Sequence, residues 1–391
     1  MTGSAAEVFS AFLKLGLTSF GGPIAHLGYF HRELIERRRW VDESRYAQLV
    51  AVCQFLPGPA SSQLGFALGL IRAGWVGGLA AFVAFTLPSA LLLFAFAHVI
   101  PFLERPFGQA AVHGLKLVAV AVVAQGVWTM AKRLTPDVPR ALIAVTAGSV
   151  VLLRSSATAQ LGVIAGGALL GVLMCRRLSP IAVEEFALRY GSRTGLFLLA
   201  IFAVVLAAAI TTEHLSIPLA AVAAAFYRAG GLVFGGGHVV LPLLREAVVV
   251  PGWVSNDEFL AGYGAAQAVP GPIFSIAAFL GARINGLFGA ATALLAIFLP
   301  GFLLVAGVLP LWKRLSSSVR SLRALAGVNA AVVGLLAAAL YDPLWKTAVM
   351  APADIAIALV SFVLLIAMRA SALSVLAWCV AASMARTAFA I

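Results

Sequence analysis

Charge is what this sequence has least of. Of its 391 residues only 11% are Asp, Glu, Lys or Arg, while 62% are hydrophobic, and the mean hydropathy is +1.02. A soluble globular domain carries roughly 25% charged residues, so that class is excluded and the chain reads as an integral membrane protein. Acidic residues are scarcer still, 15 against 27 basic ones, for a formal net charge of +12. The basic surplus falls in short stretches between apolar runs. Positive-inside bias accounts for such a pattern, which excludes nucleic acid as the expected partner. Cys53, Cys175 and Cys379 show no CxxC spacing and lie in separate apolar segments. Neither a disulfide framework nor a metal site is therefore indicated, and the three read as small buried hydrophobes. Two further absences narrow the class. No period-two alternation suggests an outer-membrane barrel, and the N-terminal stretch MTGSAAEVFSAFLKLG lacks the features of a cleaved secretory signal, so no leader is expected to be removed.

What is present is a set of long apolar runs, among them 75–103, 141–153, 195–212 and 355–368, which approach or exceed the roughly 20 residues of a membrane-crossing helix. Comparison of the chain with itself shows a duplication. SFGGPIAHLG, RRRWVDE, CQFLPGPASSQLGFALG and FTLPSALL in the first half return in order as VFGGGHVVLP, PGWVSNDE, AQAVPGPIFSIAAFLG and FLPGFLL in the second. Phe20 matches Phe234, Trp40 matches Trp253, Pro57-Gly58-Pro59 matches Pro270-Gly271-Pro272, and Pro88 matches Pro300. GLKLVAVAVV from Gly114 aligns with GVNAAVVGLL from Gly327. The expected organisation is an N-terminal repeat (1–175), a loop and linker helix (176–214) and a C-terminal repeat (215–391). If each half crosses an even number of times, the linker inverts the second half, giving two inverted-topology repeats in an all-α membrane protein.

Each half contains two breaks, at the FGG and PGP motifs. Residues 5–19 rise only about 22 Å as a helix, short of the roughly 30 Å hydrocarbon core, and so fit a half-helix. Treating both motif regions as re-entrant hairpins puts about three times as many basic residues on the cytoplasmic side as outside, whereas full spans distribute them almost evenly. The hairpin arrangement is preferred. In either case the N-terminus is expected in the cytoplasm and the C-terminus outside.

Irregular backbone at membrane depth is tolerated only where protein or a wet cavity satisfies it. Pro59 and Pro272 suit the first turn of a new half-helix, which would leave the amides of Ala60, Ser61 and Ser62, and of Ile273, Phe274 and Ser275, without helical partners. Free amides at the positive end of a helix dipole attract an anion. The candidate substrate-binding residues are therefore Gly21, Gly22, Gly58, Ser61 and Ser62 with their counterparts Gly235, Gly236, Gly271 and Ser275, together with the amide side chains of Gln54 and Gln267. Lys14 and Arg228 precede the two FGG motifs by six residues each. Cations in apolar segments are functional candidates, so this matched pair joins the site. Simple kinks for packing, and snorkelling of the two cations, are the competing explanations. His26 and His238, at unmatched positions beside the FGG breaks, read as ordinary hydrogen-bonded histidines. The stretch HRELIERRRWVDESR reads as a solvated surface, and no intramembrane carboxylate stands out as a proton relay.

FGGPIAHLGYF, FLPGPASSQLGFALG, FGGGHVVLP and AVPGPIFSIAAFLGARINGLFGA together resemble the chromate ion transporter family in its long, two-domain form. That resemblance implies an inner-membrane protein that exports chromate and confers resistance, with sulfate as a related oxyanion and two homologous halves in opposite orientation. The residues themselves point only to a small tetrahedral dianion. A sulfate or other oxyanion permease and an anion channel remain alternative readings. A lipid-phosphate enzyme is disfavoured because no catalytic cluster is present. No cofactor is expected; the expected partners are the oxyanion and membrane lipid, and a homodimer is compatible with the sequence.

Overall fold

The computed structural model describes residues 3–20, 22–100, 106–154, 157–176, 186, 188–211, 218–234, 240–368 and 370–388. Among these the ordered elements are helical throughout. The first half contains α1 (Ala5–Thr18), α2 (Gly22–Phe30, widening into a π-helical turn over His31–Arg37), α3 (Glu43–Phe55), α4 (Ala60–Val99), α5 (Pro106–Leu134), α6 (Val138–Leu153) and α7 (Ala157–Met174). The linker is α8 (Ser192–Thr211). The second half contains α9 (Pro218–Leu232), α10 (Val240–Leu244, widening over Arg245–Val249), α11 (Asn256–Ala268), α12 (Ile276–Val308), α13 (Trp312–Ser316), α14 (Val319–Ala339), α15 (Lys346–Ala348), α16 (Pro352–Ile366) and α17 (Ala372–Ala388). Five helical stretches are long and apolar enough to cross a membrane. The chain is a multi-pass membrane protein.

The first two helical pairs leave one end of the molecule and come back to it. Asp42 caps α3 by accepting from the Arg45 amide, and Ser4 caps α1 through the Glu7 amide. The Trp40 indole, which follows α2, donates to Glu7 Oε1 at 3.0 Å. Arg72, at the end of the first part of α4, also reaches Glu7 Oε1 at 3.0 Å. The described residues of 5–40 and 43–72 thus form two hairpins with their ends together. In the second half, Arg283 of α12 lies 2.6 Å from Glu258 at the start of α11, closing the equivalent hairpin.

Immediately after each returning arm the chain reverses. Gly74 (φ 68°, ψ −159°) and Gly286 (φ 54°, ψ −144°) sit at matched points inside α4 and α12. Side chains other than glycine rarely adopt such backbone angles. The reversal is tight: a Cβ on Gly69 would overlap the Gly77 carbonyl, and one on Gly281 would overlap that of Gly289. Eight residues of straight helix would hold those groups about 12 Å apart.

The two halves are interlocked. α5 packs on α16 and α17, whereas α14 packs on α6 and α7. In lipid the contact is set by close backbone approach, and small residues permit it. Gly334 of α14 meets Gly148 of α6, and Gly327 meets Gly167 and Gly171 of α7. Along the α4–α12 seam, Phe66 stacks on Phe302 at 4.6 Å between centroids and Phe82 lies 5.2 Å from Phe298. All three cysteines are buried and free, in keeping with their reading as small hydrophobes.

Candidate functional site

The tips of the hairpins meet in the interior, and they meet reciprocally. The Gly58 amide donates to the Val233 carbonyl at 2.7 Å, and the Gly271 amide donates to the Ser19 carbonyl at 2.9 Å. Gly58 and Gly271 are the centres of the two PGP motifs, while Ser19 and Val233 each precede the Phe of an FGG motif. The PGP break of each half is therefore tied to the FGG break of the other. Both glycines hold positive φ, 126° and 99°. A Cβ at Gly58 would crowd Gln63 and the Gly301 backbone; one at Gly271 would lie 2.9 Å from Ser89 Oγ.

Pro59 and Pro272 begin new helical segments, without any side-chain cap. At the first break the amides of Ala60, Ser61 and Ser62 occupy the opening turn of α4, where no intrahelical acceptor exists, and no backbone acceptor among the described residues reaches them. The Gln63 amide is the first to turn back, to Pro59 at 2.9 Å. The second break is tighter. Ile273–Ser275 forms a 3-10 turn in which the Ser275 amide donates to the Pro272 carbonyl at 2.9 Å, so this amide is not free as the sequence suggests.

Proton bookkeeping separates the serines. His26 Nε2 is 3.2 Å from the Ser19 carbonyl, which can only accept, so Nε2 carries the proton. In the neutral imidazole, Nδ1 then accepts from the Ser61 hydroxyl at 3.2 Å. Ser89 donates to the Thr86 carbonyl at 2.9 Å, which makes Ser275 the donor in the 2.6 Å Ser89–Ser275 contact. The hydroxyl protons of Ser61 and Ser275 are thus committed within the protein. Ser62, the counterpart of Ser275, has no partner for its hydroxyl.

Five of the twelve buried side-chain atoms without a partner among the described residues belong to residues of these breaks or of the segments beside them: Ser19 Oγ, Ser62 Oγ, Gln63 Oε1, Thr86 Oγ1 and Gln267 Nε2. Unpaired polar groups in an interior are rare and call for an explanation, a ligand among them. Of the sequence candidates, Gly22, Gly58, Ser61, Ser62, Gln267, Gly271 and Ser275 belong to this region or border it. Gln54 is exposed, unlike its buried counterpart Gln267. Gly21, Gly235, Gly236 and His238 lie outside the described residues.

Lys14 has a different immediate neighbour. Its Nζ is 2.7 Å from Glu33 Oε2, and Arg37 and Arg38 approach the same carboxylate at 3.3 and 2.9 Å. Glu33 is only 8% exposed, covered by cations that themselves reach water, the Lys14 side chain being 48% and that of Arg37 69% exposed; one carboxylate is shielded within a stretch that otherwise lies at the surface. Three cations around one carboxylate leave a net positive charge at the base of the first hairpin. Arg228 and Glu246 occupy the matching positions in the second half, and both are engaged in interactions.

The sequence reading missed Ser19, Gln63, Thr86 and Ser89 as constituents of the junction. The signal available for the last two is their place around Pro88, the proline matched by Pro300. It also missed Asp354, fully buried, whose Oδ1 lies 2.8 Å from His113 and also contacts Arg386. Its place two residues after Pro352 marks a helix start, and its Oδ2 accepts the Met350 and Ala351 amides.

A family profile described as chromate transporter matches residues 6–172 and 220–385, one copy in each half. The chain is 31% identical over 340 residues to a probable chromate transport protein of Synechococcus elongatus, covering 86% of this chain and 84% of that one. It is 31% identical over 353 residues to the chromate transport protein of Pseudomonas aeruginosa, covering 88% and 82%. With the chromate transport protein of Cupriavidus metallidurans the identity is 30% over 332 residues, covering 84% and 80%. No solved structure matches the chain.

Proposed function

Because the chain belongs to the chromate transporter family, whose members are transport proteins and not enzymes, we propose that it exports chromate across the inner membrane and so confers chromate resistance, binding the dianion where the two PGP breaks meet the chain at Ser19 and Val233. The observation that carries this reading is the reciprocal pair of bonds, Gly58 to Val233 and Gly271 to Ser19. It joins both halves at one interior point and leaves the opening turn of α4 without a cap. Three amides and the Ser62 hydroxyl supply neutral donors, the helix dipole adds a positive potential, and the net charge around Lys14 draws an anion toward the hairpin base. An oxyanion leaving water loses strong hydrogen bonds, and these groups replace them.

In this account the halves are inverted repeats, the N-terminus is cytoplasmic and the C-terminus is outside. Substrate exchange proceeds by alternating access, with one repeat moving against the other around the central site. The two halves differ in a way that fits one end of such a cycle. α11 is buried against α5, whereas α3 has exposed faces and makes no comparable contact with α14, its expected partner by symmetry. Ser62 is free where Ser275 is engaged, which supports reading the first PGP as the open half-site.

Sulfate, a tetrahedral dianion of similar size, fits the same donors, so a sulfate permease is the principal alternative; an anion channel is a second. The deciding experiment is chromate flux into inside-out vesicles, with and without a pH gradient and with or without sulfate on the opposite side. Saturable uptake accelerated by a counter-substrate supports a chromate carrier. Flux of sulfate alone supports the permease, and non-saturating currents support the channel.

A further inference from the structure

A second group of basic residues lies where α6 and α7 pack on α14. α6 and α7 lie side by side on α14, and the seam between them opens into two successive cavities. The larger, about 480 Å³, is lined mainly by apolar and small residues, among them Ile143, Val150, Val163, Gly166 and Leu170. The next, about 450 Å³, lies at the α6 start and α7 end and is lined by Asp137, Arg140, Cys175 and Arg176, with Val138, Pro139 and Met174. Arg323 of α14 adjoins it, donating to the Arg176 carbonyl at 3.1 Å.

The charges of this end do not cancel. Asp137 takes Arg140 at 2.6 Å. The Arg176 Nε reaches only the Leu173 carbonyl, at 3.1 Å, and the Arg323 Nε is buried without a partner. Among the described residues three guanidinium groups thus lie near one carboxylate, at the mouth of a groove whose walls are apolar apart from Thr146 and, at the opposite end, Arg154. The level in the bilayer is marked by Trp128 near the end of α5, with the Lys132 ammonium 4.4 Å from its ring. Tryptophan and lysine so placed belong to the headgroup region.

We propose that this seam is a binding site for one anionic phospholipid, with the phosphate at Arg140, Arg176 and Arg323 and an acyl chain along the α6–α7 groove. The dimensions agree. One leaflet of hydrocarbon is about 15 Å deep, the rise of roughly ten helical residues, which is the stretch from Arg140 to Val150. Charge favours an anionic headgroup over a zwitterionic one: both bring a phosphate to the guanidiniums, but phosphocholine also brings a quaternary ammonium to a site already in excess of positive charge. The apolar groove selects a lipid over a free phosphate, since inorganic phosphate has nothing to place against Ile143, Val163 and Leu170. A lipid here contacts α6, α7 and α14 together and so bridges the two interlocked halves.

The test is native mass spectrometry of the full chain released from nanodiscs holding phosphatidylglycerol and phosphatidylcholine in equal amounts. The expected result is one retained phosphatidylglycerol, unaffected by millimolar inorganic phosphate. Arg140→Gln and Arg176→Gln should each lower its retention about fivefold. Gly166→Leu provides an independent check, because a Cβ there meets no atom within 4 Å; the variant should fold, keep all three arginines and still lose the lipid by obstructing the groove. Equal retention of the two lipids, displacement by inorganic phosphate, or unchanged retention in Gly166→Leu would overturn the proposal. So would a dimer that persists without lipid and covers the seam.

Discussion

Lys116 Nζ lies 2.6 Å from Asp257 Oδ1, clasping α5 to the start of α11. The partners are unequal: the lysine side chain is 7% exposed and the aspartate 66%. The symmetry-related positions hold Asn329 and Ser44, which have no charge to form such a clasp. An ion pair thus secures one side of the pseudo-symmetric assembly and not the other.

Removing either partner should have different costs. Asp257→Asn takes the counter-charge from a buried ammonium, but the aspartate is largely exposed and water screens the pair, so the cost should be about 1 kcal/mol. Lys116→Met removes the buried charge and leaves an aspartate that water solvates, so its cost should be smaller. Thermal inactivation in detergent measures both. In the Asp257→Asn background, a cysteine at Gln267 should also become reactive toward a small thiol reagent as α11 loosens. Equal stability of the two variants would show that the clasp holds nothing.

The PGP glycines should be intolerant for the same reason in both halves. Alanine at Gly58 or Gly271 meets an unfavourable positive φ and close neighbours, at a cost of about 1–3 kcal/mol, and it disturbs the bond that ties the two breaks together. Both variants should express at reduced level and lose transport, whereas Gly28→Ala, with no atom within 4 Å of the added Cβ, should be silent. Transport assays normalised to folded protein distinguish these outcomes.

Lys14→Gln should lower chromate transport at least tenfold, about 1.4 kcal/mol, while the protein still inserts, because Arg37 and Arg38 continue to neutralise Glu33. Adding Glu33→Gln tests the role of the charge. Recovery of transport in the double variant would mean that Lys14 serves only to compensate Glu33. A persistent loss supports its action on the anion. Arg228→Gln should behave alike.

At the solvated end of the first hairpin, His31 lies 2.7 Å from Glu43 and 3.1 Å from Glu36. The hydrogen bond to Glu43 raises its pKa above the usual imidazole range, and the charges of both carboxylates add to the effect. A raised folded-state pKa means that the protonated form is favoured by folding, so the stabilisation is fully present below about pH 6.5 and fades as the pH rises through the elevated value. Wild type and Glu43→Gln should therefore differ in melting temperature at about pH 5.5 and converge in alkaline solution. A constant difference across that range would assign the effect of Glu43 to something other than His31.

Breaks, repeats and half-helix lengths were legible because proline and glycine act locally: Pro59, Pro272, Gly58 and Gly271 dictate backbone wherever they fall. Matched spacing then related one half to the other. Partnership was less legible. Nothing in the order of residues tells that Gly58 bonds to Val233 of the other half, or that Glu33 turns inward while its neighbours remain at the surface, since both depend on how the hairpins dock. Gln54 and Gln267 show the same limit: identical in motif, they differ in burial because α11 is packed on α5 and α3 is not packed on α14.

The most direct measurement is chromate flux in proteoliposomes containing the wild-type protein, Ser62→Ala and Gly58→Ala, with Gly28→Ala as the control. Of the serines that follow the two PGP breaks, Ser62 is the one whose hydroxyl has no partner among the described residues. The account predicts saturable chromate flux, inhibited by sulfate, that is weakened by Ser62→Ala, abolished by Gly58→Ala and normal in Gly28→Ala. Wild-type flux in both junction variants would contradict it, because the anion would then cross elsewhere.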